Sequence, residues 1–291
     1  MAECKKILVS GSTGLVGSAL VQGLSEVHEV FEIRRHDLHI NGKVVCQFSD
    51  WTQDELLKKL VSLGGVDIVI HAAGQPTVWR SVKDPLGDAE ANILQTIRLL
   101  QLSQKLRPAQ FIFFSSEAVY GNVQNPSELS ERRPITPYGA SKLAAEFYLE
   151  TLLPEETKKL ILIPSFVVGE YMTRNVIYDI VIDVVRGNDV SLQYSGESTF
   201  NFVAVKNIVH AVAANIAQLA QGRYHLPGVD LSLHEVVSII AEVTGKDFCV
   251  QYGDRTRLAC LKTEMKYASA YTKNSCIRSE IEKFAARISV A

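Results

Sequence analysis

Short apolar runs alternate with longer amphipathic stretches along the first half of the chain. The short runs are rich in Val, Ile and Phe, and they predict buried strands over 6–10, 29–34, 43–48, 66–71, 110–115 and 159–164. The longer stretches predict helices over 15–26, 52–63, 84–105 and 138–153. Because strands that alternate with helices are typical of repeated βαβ units, the pattern predicts an α/β fold with a doubly wound parallel sheet.

The composition narrows the class of protein without naming a function. Of the 291 residues, 47% are hydrophobic, and the formal net charge is −2. No basic stripe favours nucleic acid, and no apolar run approaches the roughly 20 residues that span a bilayer. The five cysteines are scattered without CxxC or Cys/His spacing, so they predict neither a disulfide framework nor a metal site. We therefore expect a cytoplasmic protein without a metal, nucleic-acid or membrane partner.

A glycine cluster separates the first predicted strand from the first predicted helix and reads Gly11-Ser12-Thr13-Gly14-Leu15-Val16-Gly17. Gly11 can take the tight turn, Gly14 lets backbone amides approach a pyrophosphate, and Gly17 lets the helix pack closely on the strand. An ordinary glycine turn is the alternative, but the position between strand and helix favours a dinucleotide site. The cluster therefore predicts a Rossmann-type domain.

The periodic pattern becomes less regular after residue 164, where it predicts helices over 174–186, 206–221 and 233–244. No repeat and no low-complexity linker marks off this part. We therefore expect a dinucleotide-binding domain over 1–168, to which residues 203–228 also contribute. A smaller C-terminal substrate-binding lobe is expected over 169–202 and 229–291.

Two arginines, Arg34 and Arg35, end the second predicted strand, where they bear on the choice of cofactor. NAD-binding units carry Asp or Glu at this point for the ribose hydroxyls, whereas Arg accommodates the 2′-phosphate of NADP. Glu32 lies on the same strand face as Arg34 and complicates the assignment. We favour NADP over NAD, with two solvated arginines at a strand end as the competing interpretation.

The segment "SSEAVYG" at 115–121 places two hydroxyls and a carboxylate directly after an apolar run. Together with "GSTGLVG", "HAAG" at 71–74 and "PYGASK" at 137–142, it makes the chain resemble the extended short-chain dehydrogenase/reductase family. This family includes sugar-nucleotide epimerases, dehydratases and 4-keto reductases, and the resemblance covers nearly the whole chain. It implies an enzyme with a nicotinamide cofactor, and a homodimer formed through the helices predicted over 84–105 and 138–153.

The resemblance implies catalytic roles for four residues. Tyr138 and Lys142 match the YxxxK pair of the family, and their spacing of four puts them on one helix face. The charge of Lys142 can then lower the pKa of the phenol from its usual value of about 10. Ser116 matches the catalytic Ser or Thr that hydrogen-bonds the same substrate oxygen. Asn92 falls at a helix position that supports the active site in this family. Tyr120 is the second tyrosine in these motifs, but no lysine lies at helical spacing from it.

The resemblance also implies which residues surround the ligands. The expected cofactor-binding residues are Gly11, Ser12, Thr13, Gly14, Leu15, Val16, Gly17, Arg34, Arg35, Asp50, Trp51, His71, Ala72, Ala73, Gly74, Ser115, Tyr138, Lys142 and Pro164. The expected substrate-binding residues are Ser116, Glu117, Phe166, Arg174, Asn175 and Phe200. The substrate itself is expected to be a small molecule, a sugar or a sugar nucleotide.

The segment after Ser116 bears on the type of reaction. The dehydratase branch carries an Asp-Glu pair there, whereas this chain has Glu117-Ala118, so elimination of water is disfavoured. The two arginines after the second strand then favour an NADP(H)-dependent oxidoreductase that reduces a keto group of a sugar or sugar nucleotide, or oxidises the alcohol. One alternative is an epimerase with tightly bound NAD. A non-catalytic NADP-binding sensor or scaffold is another.

Two phenylalanines depart from the sugar-nucleotide pattern. Phe166 stands where that pattern has Asn, and Phe200 stands where it has an Arg that contacts the diphosphate. A phenyl ring cannot replace a bidentate phosphate contact, although Arg174, Arg255 or Arg257 could supply one from the lobe. A substrate without a diphosphate is the second possibility, and simple core packing of the two rings is the third.

Overall fold

The computed structural model describes residues 3–34, 37–47, 53–123, 125–256 and 274–290. The chain forms two compact units. The first comprises Met1–Val123, Glu128–Ile163 and Val209–Tyr224, and the second comprises Gln124–Ser127, Pro164–Ile208 and His225–Ala291. Within the described ranges, no helix combines the length and hydropathy that crossing a membrane requires.

The secondary structure alternates between strands and helices, as the hydrophobic pattern predicts. The strands are β1 (Lys6–Ser10), β2 (Glu29–Ile33), β3 (Asp37–Ile40), β4 (Lys43–Gln47), β5 (Ile68–His71), β6 (Gln110–Phe114), β7 (Lys158–Pro164), β8 (Phe166–Val168), β9 (Val190–Ser191), β10 (Thr199–Ala204), β11 (Gly222–Leu226), β12 (Val229–Ser232) and β13 (Val250–Gln251). The helices are α1 (Leu15–Leu24), α2 (Gln53–Ser62), α3 (Val78–Lys83), α4 (Pro85–Ala89), α5 (Gln95–Leu106), α6 (Pro137–Leu152), α7 (Val176–Val185), α8 (Val205–Gln218), α9 (Leu233–Thr244) and α10 (Asn274–Val290).

The main sheet has the strand order β11-β7-β6-β5-β1-β2-β3-β4. β1 pairs in parallel with β2 and β5, and parallel pairing continues from β5 through β6 to β7. β5 and β6 are buried at every position, because a central parallel strand is covered on both faces. The mostly parallel sheet with flanking helices confirms the predicted Rossmann-type α/β fold.

The edge of this sheet differs from the prediction. The strand predicted over 43–48 is observed as β4, but it runs antiparallel to β3, which the pattern did not predict. Asn41 and Gly42 join the two strands with φ values of +44° and +80°. Asn-Gly is a strong signal for a two-residue hairpin turn, because both positions require positive φ. The dipeptide explains why the chain turns back here instead of crossing over to a parallel position.

The single helix predicted over 84–105 is interrupted in the structure. It consists of α4, a π-helical turn at Glu90–Leu94, and α5. A π turn inserts an extra residue into a helix and frequently marks a functional site. Asn92 lies in this turn, where its side chain hydrogen-bonds to Gln75 and Asp88.

The second unit contains two small sheets and a group of helices. Its sheets have the strand orders β12-β10-β8 and β13-β9. Helices α7, α9 and α10 pack together through apolar faces, and Ile281 and Phe284 of α10 are fully buried. Helix α10 therefore belongs to the core of this unit.

Candidate active site

The loop between β1 and α1 has a backbone path that its glycines permit. Gly11 has a φ of +78°, and a Cβ there would lie 2.5 Å from the backbone nitrogen of Ala73. A Cβ on Gly17 would lie 2.0 Å from the carbonyl oxygen of Gly11. Gly14 caps α1 and donates its N–H to the same oxygen at 3.0 Å. The loop therefore turns tightly and presents the N-terminus of α1.

This N-terminus fits the phosphates of a dinucleotide. Its free amides carry partial positive charge, and no acidic side chain lies in the first turn of α1. Ser12 is only 4% exposed, and its hydroxyl has no hydrogen-bond partner among the described residues. A phosphate oxygen would satisfy this hydroxyl, which otherwise carries a desolvation cost. Thr13 is exposed, and Leu15 and Val16 are half-buried at the start of the helix.

Arg34 follows β2 and is bound to Glu32. Its Nη2 donates to Glu32 Oε2 at 2.9 Å, and the amide of Gly42 donates to Oε1 at 3.1 Å. The Glu32 side chain is 2% exposed and that of Arg34 is 38% exposed. The buried carboxylate therefore offsets much of the charge that Arg34 offers at the strand end. The predicted contacts Arg35, Asp50 and Trp51 lie outside the described residues.

His71 ends β5, and both of its ring nitrogens have partners inside the protein. Nδ1 lies 2.7 Å from Ser10 Oγ, and Nε2 lies 2.8 Å from Thr96 Oγ1. Burial, together with the nearby charge of Lys142, lowers the pKa of His71 to about 3. The imidazole is therefore neutral at physiological pH and joins β1, β5 and α5.

The segment after β5 runs beside the glycine loop. Ala72 donates its amide to the carbonyl oxygen of Ser10 at 3.1 Å. Gly74 has a φ of +153°, and a Cβ there would lie 2.6 Å from Asn92 Oδ1. Residues 72–74 thus lie at the carboxyl end of the parallel strands, where open α/β sheets bind their ligands.

Asn92 fastens this segment to α6 from its position in the π turn. Its Oδ1 accepts from the amide of Gln75 at 2.8 Å, and its Nδ2 donates to the carbonyl of Gln75 and to Asp88 Oδ1, both at 2.9 Å. The same Nδ2 lies 3.2 Å from Ser141 Oγ. Asn92 therefore joins the segment after β5 to α4 and α6 through one side-chain amide.

The two serines after β6 have different surroundings. Ser115 is buried, and its hydroxyl donates to Glu146 Oε1. Ser116 caps the 3₁₀ turn Glu117–Tyr120 by accepting from the amide of Ala118 at 3.2 Å. This bond uses the Ser116 oxygen as an acceptor, so the hydroxyl proton can be donated to a substrate. Ser116 and Glu117 are half-buried.

Helix α6 begins immediately before Tyr138. Thr136 caps it by accepting from the amide of Gly139 at 3.1 Å, and Pro137 occupies the first turn. The backbone amide of Tyr138 donates to Ser81 Oγ at 3.0 Å. Tyr138 therefore lies in the first turn of α6, on a backbone that is held from two sides.

A close backbone approach brings α6 against the turn that follows Ser116. A Cβ on Gly139 would lie 2.3 Å from the carbonyl oxygen of Ala118. Any side chain at 139 would force the helix away from this turn. Tyr138 and Ser116 therefore belong to two segments in direct contact.

Lys142 follows Tyr138 by one helical turn and is 6% exposed. Its Nζ lies 4.3 Å from the ring centroid of Phe113. Burial lowers the pKa of Lys142 to about 8, although the charges of Glu146 and Asp88 oppose that shift. The ammonium is consequently the dominant form at neutral pH, and it loses its proton at a lower pH than an exposed lysine would.

Two of the predicted substrate residues, Phe166 and Phe200, lie in an aromatic cluster of the second unit. The ring centroid of Phe166 lies 5.7 Å from that of Phe200 and 6.0 Å from that of Phe202. Tyr194 approaches Phe200 edge-on at 5.3 Å. Phe200 is buried and Phe166 half-buried, so this arrangement favours the core-packing interpretation of both rings.

The remaining predicted residues of this unit have mixed surroundings. Asn175 caps α7 by accepting from the amide of Tyr178 at 3.0 Å, and it donates to the carbonyl of Val167 at 3.0 Å. Arg174 is exposed, and Arg255 donates to Gln193 Oε1 at 2.9 Å. Pro164 is the last residue of β7, and Arg257 lies outside the described residues.

Sequence reasoning missed several polar residues that hold the site together. Ser81 binds the amide of Tyr138 across 57 positions, and Thr96 binds His71 across 25. No local pattern could reveal these two, because their partners lie far away in the sequence. Ser141 lies inside "PYGASK", and Gln75 directly follows "HAAG". Their positions in or beside these motifs were the signal that could have identified them.

Known proteins resemble this chain in sequence and in fold. A model of the NAD dependent epimerase/dehydratase family matches residues 7–226. The UDP-glucose 4-epimerase of Halalkalibacterium halodurans is 33% identical over 146 residues, which cover 48% of this chain and 44% of that protein. The UDP-glucose 4-epimerase of Schizosaccharomyces pombe is 30% identical over 170 residues, which cover 52% and 47%.

Among solved structures, MoeE5 in complex with UDP-glucose and NAD superimposes with a TM-score of 0.81 and 25% identity, covering 98% of this chain and 100% of that one. The chain spans about half the length of the curated relatives it matches. The family model, by contrast, covers most of the chain, including the glycine loop and the Ser116, Tyr138 and Lys142 positions. The chain therefore belongs to the NAD dependent epimerase/dehydratase family of enzymes.

Proposed function

We propose that this protein is an NAD-dependent epimerase that inverts a secondary alcohol of a sugar nucleotide. The observation that carries the proposal is the pairing of Tyr138 with the buried Lys142 on one face of α6, against the turn that follows Ser116. The two relatives described above are UDP-glucose 4-epimerases, and MoeE5 was solved with UDP-glucose and NAD. These likenesses favour the epimerase over the NADP(H)-dependent reductase that Arg34 and Arg35 suggested.

In this proposal the side chains of the chain move and hold one proton. The Lys142 ammonium favours the phenolate form of Tyr138, which accepts the proton of the substrate hydroxyl as the alcohol is oxidised. Ser116 donates its hydroxyl to the same oxygen and stabilises the charge that develops there. When bound, the nicotinamide ring would take up and return the hydride.

Epimerisation requires this site to work in both directions. Tyr138 returns its proton to the same oxygen when the keto group is reduced on its opposite face. Oxidation and reduction then cancel within one cycle, so no second substrate is consumed. The Glu117-Ala118 segment suits this scheme, because neither half-reaction eliminates water and no second carboxylate is needed.

One observation favours NADP(H)-dependent reduction as a second candidate. An arginine, rather than a carboxylate, follows β2, and its side chain is 38% exposed. However, Arg34 is already paired with the buried Glu32, whose second oxygen binds Gly42. A 2′-phosphate would meet this carboxylate as well as the guanidinium, and for that reason we propose NAD as the cofactor.

We extend the proposal to a homodimer formed through α5 and α6, which overlap the helices predicted over 84–105 and 138–153. Phe147 and Tyr148 lie on α6 and are 54% and 40% exposed. Aromatic side chains are enriched at protein interfaces relative to the rest of the protein surface. Light scattering that gives the mass of one chain would contradict this part of the proposal.

Two measurements test the function. Nucleotide released from the denatured, freshly purified protein is identified by mass spectrometry, and NAD is the expected product. UDP-glucose is then incubated with the enzyme and NAD, and proton NMR is expected to show UDP-galactose without net formation of NADH. Product that appears only with stoichiometric consumption of NADPH would instead support the reductase.

A further inference from the structure

A buried carboxylate that the proposed mechanism does not use lies beside the site. Glu146 follows Lys142 by one turn of α6, so the two side chains share a helix face. Its side chain is 0% exposed. A carboxylate is seldom fully buried unless it has partners, and Glu146 has three.

The partners of Glu146 come from three separate segments. Ser115, directly before Ser116, donates its hydroxyl to Oε1. Arg132, in the loop before α6, donates from Nη1 to Oε2 at 2.8 Å, and Arg223 of β11 donates from Nε to the same oxygen at 3.2 Å. Glu146 thus joins the end of β6, the loop before α6 and β11 to the helix that carries Tyr138.

Arg223 extends this cluster to the 3₁₀ turn after Ser116. Its Nη1 donates to the hydroxyl of Tyr120 at 2.7 Å, and its guanidinium lies 4.9 Å from the centroid of that ring. The same nitrogen lies 3.2 Å from the carbonyl oxygen of Glu128. Both ends of the Ser116 turn are therefore tied, directly or through Arg223, to one carboxylate.

Stability alone is a weak explanation for such a cluster. A buried ion pair loses much of its attraction to desolvation, and apolar side chains of similar volume are often at least as stable. The position of Glu146 offers a better reason, because it contacts the neighbour of Ser116 and lies one turn from Lys142.

We propose, building on the function proposed above, that Glu146 is a positioning residue for the Ser116, Tyr138 and Lys142 site. Its carboxylate accepts from the Ser115 hydroxyl and restrains the residue directly before Ser116, which sets the place of Ser116 relative to α6. Its negative charge also keeps the Lys142 ammonium charged in a buried place.

Several charged and titratable groups of the described residues surround Lys142 and Glu146, and Arg132 and Arg223 already pair with Glu146. Tyr138 and Glu146 share the helix of Lys142, Asp88 faces that lysine from α4, and His71 faces it from β5 as a neutral imidazole. Burial lowers the pKa of Lys142, while Glu146 and Asp88 raise it. Removing the charge of Glu146 therefore shifts the titration of Lys142 to lower pH.

The first test follows the titration of Lys142 directly and needs no substrate. The protein is prepared with lysine carrying carbon-13 at the ε position, and the Lys142 signal is assigned by its absence in Lys142→Met. In Glu146→Gln we expect the midpoint to fall by about one pH unit, which is the low end of the effect of a close opposite charge. Glu150→Gln is the matched control, because Glu150 is exposed on the same helix and pairs at 3.9 Å with Lys159.

An unchanged midpoint in folded Glu146→Gln would overturn the electrostatic part of the proposal. This result does not depend on turnover, so it is separate from a failure of the proposed function. If the enzyme does epimerise UDP-glucose, the fall of kcat at alkaline pH should begin at lower pH in Glu146→Gln than in Glu150→Gln.

The second test addresses the placement of Ser116. It can be carried out even if Glu146→Gln does not fold. Ser115→Ala removes the hydrogen bond to Glu146 but keeps the charge of that residue. We expect kcat to fall roughly tenfold or more, the scale of one lost charge-assisted hydrogen bond, with the Lys142 midpoint unchanged. A kcat equal to that of the wild type would overturn the positioning role.

Discussion

The carboxyl edge of the sheet in the first unit and the aromatic cluster of the second unit differ in how their side chains are held. At the sheet edge, Asn92 and Lys142 have directed hydrogen bonds or charge partners from several elements. In the cluster, Phe166 and Phe200 contact each other and neighbouring rings. Polar atoms with fixed geometry restrict which chemistry is possible, whereas a phenyl ring suits a core and a ligand cavity equally. The first region therefore indicates a reaction, and the second leaves the substrate open.

Tyr138→Phe should give the largest effect, because it removes the proton acceptor while keeping the ring. We expect kcat to fall by about 10²- to 10⁴-fold, the range for loss of a general acid-base group. The affinity for NADH, measured by fluorescence titration, should change little. Tyr148→Phe, on the exposed part of the same helix, is the control, because it removes a phenol hydroxyl but keeps the ring that the proposed dimer would use, and it should keep wild-type activity. A Tyr138→Phe enzyme with comparable activity would remove Tyr138 from the mechanism.

His71 should make the first unit sensitive to acid. Its pKa is about 3 when folded against a usual value of 6.5, so the unfolded chain binds the proton first as pH falls. This stabilising contribution is complete above pH 6.5 and is lost toward pH 3, at about 1.4 kcal/mol per pH unit. Denaturant melts should show the stability gap between wild type and His71→Gln narrowing over that range. His210→Gln, at an exposed position, should follow the wild type throughout, and a constant gap for His71→Gln would contradict the account.

The pair Glu32 and Arg34 should have a smaller effect, confined to cofactor choice. Arg34→Ala should change the affinity for NADH little, because NADH carries no 2′-phosphate for the guanidinium to bind. Glu32→Gln frees the guanidinium and should raise the affinity for NADPH roughly tenfold. Arg98→Ala, which breaks an exposed pair with Glu90, is the control. A large selective loss of NADPH binding in Arg34→Ala would revive the NADP interpretation.

Phe166→Leu should give the smallest effect on catalysis. If the ring belongs to the core of the second unit, the substitution should lower the unfolding free energy by about 1 kcal/mol and leave the KM for UDP-glucose nearly unchanged. A KM that rises strongly with little loss of stability would show instead that Phe166 lines the substrate site.

The features that could be predicted from the sequence are those that depend on short local patterns of residues. The glycine loop, the alternation of strands and helices, and the YxxxK spacing all depend on neighbours within a few residues. The β3–β4 hairpin could also have been predicted from its Asn41-Gly42 turn. It was not, because the strand at 37–40 is too short to stand out in the hydrophobic pattern. The π turn at Asn92 could not be predicted from a local pattern. The Asn92 side chain in this turn bonds to Gln75, which lies 17 positions away in the sequence.

The Glu146 cluster shows why the rest of the site could not be read in advance. On the sequence, Glu146 is one more polar residue in an amphipathic helix. Its partners Ser115 and Arg223 lie 31 and 77 positions away, and only the folded sheet brings them to it. The same holds for the burial of α10, whose apolar face meets α7 and α9 from distant parts of the chain.

The most direct test of the account uses UDP-glucose that carries deuterium at C4 of the glucose ring. The enzyme as purified is incubated with this substrate, and the product is examined by NMR and mass spectrometry. If Tyr138, Lys142 and Ser116 serve an epimerase that takes up and returns the same hydride, UDP-galactose should form with the deuterium retained at C4. No epimer, or an epimer that has lost the label to water, would contradict the account.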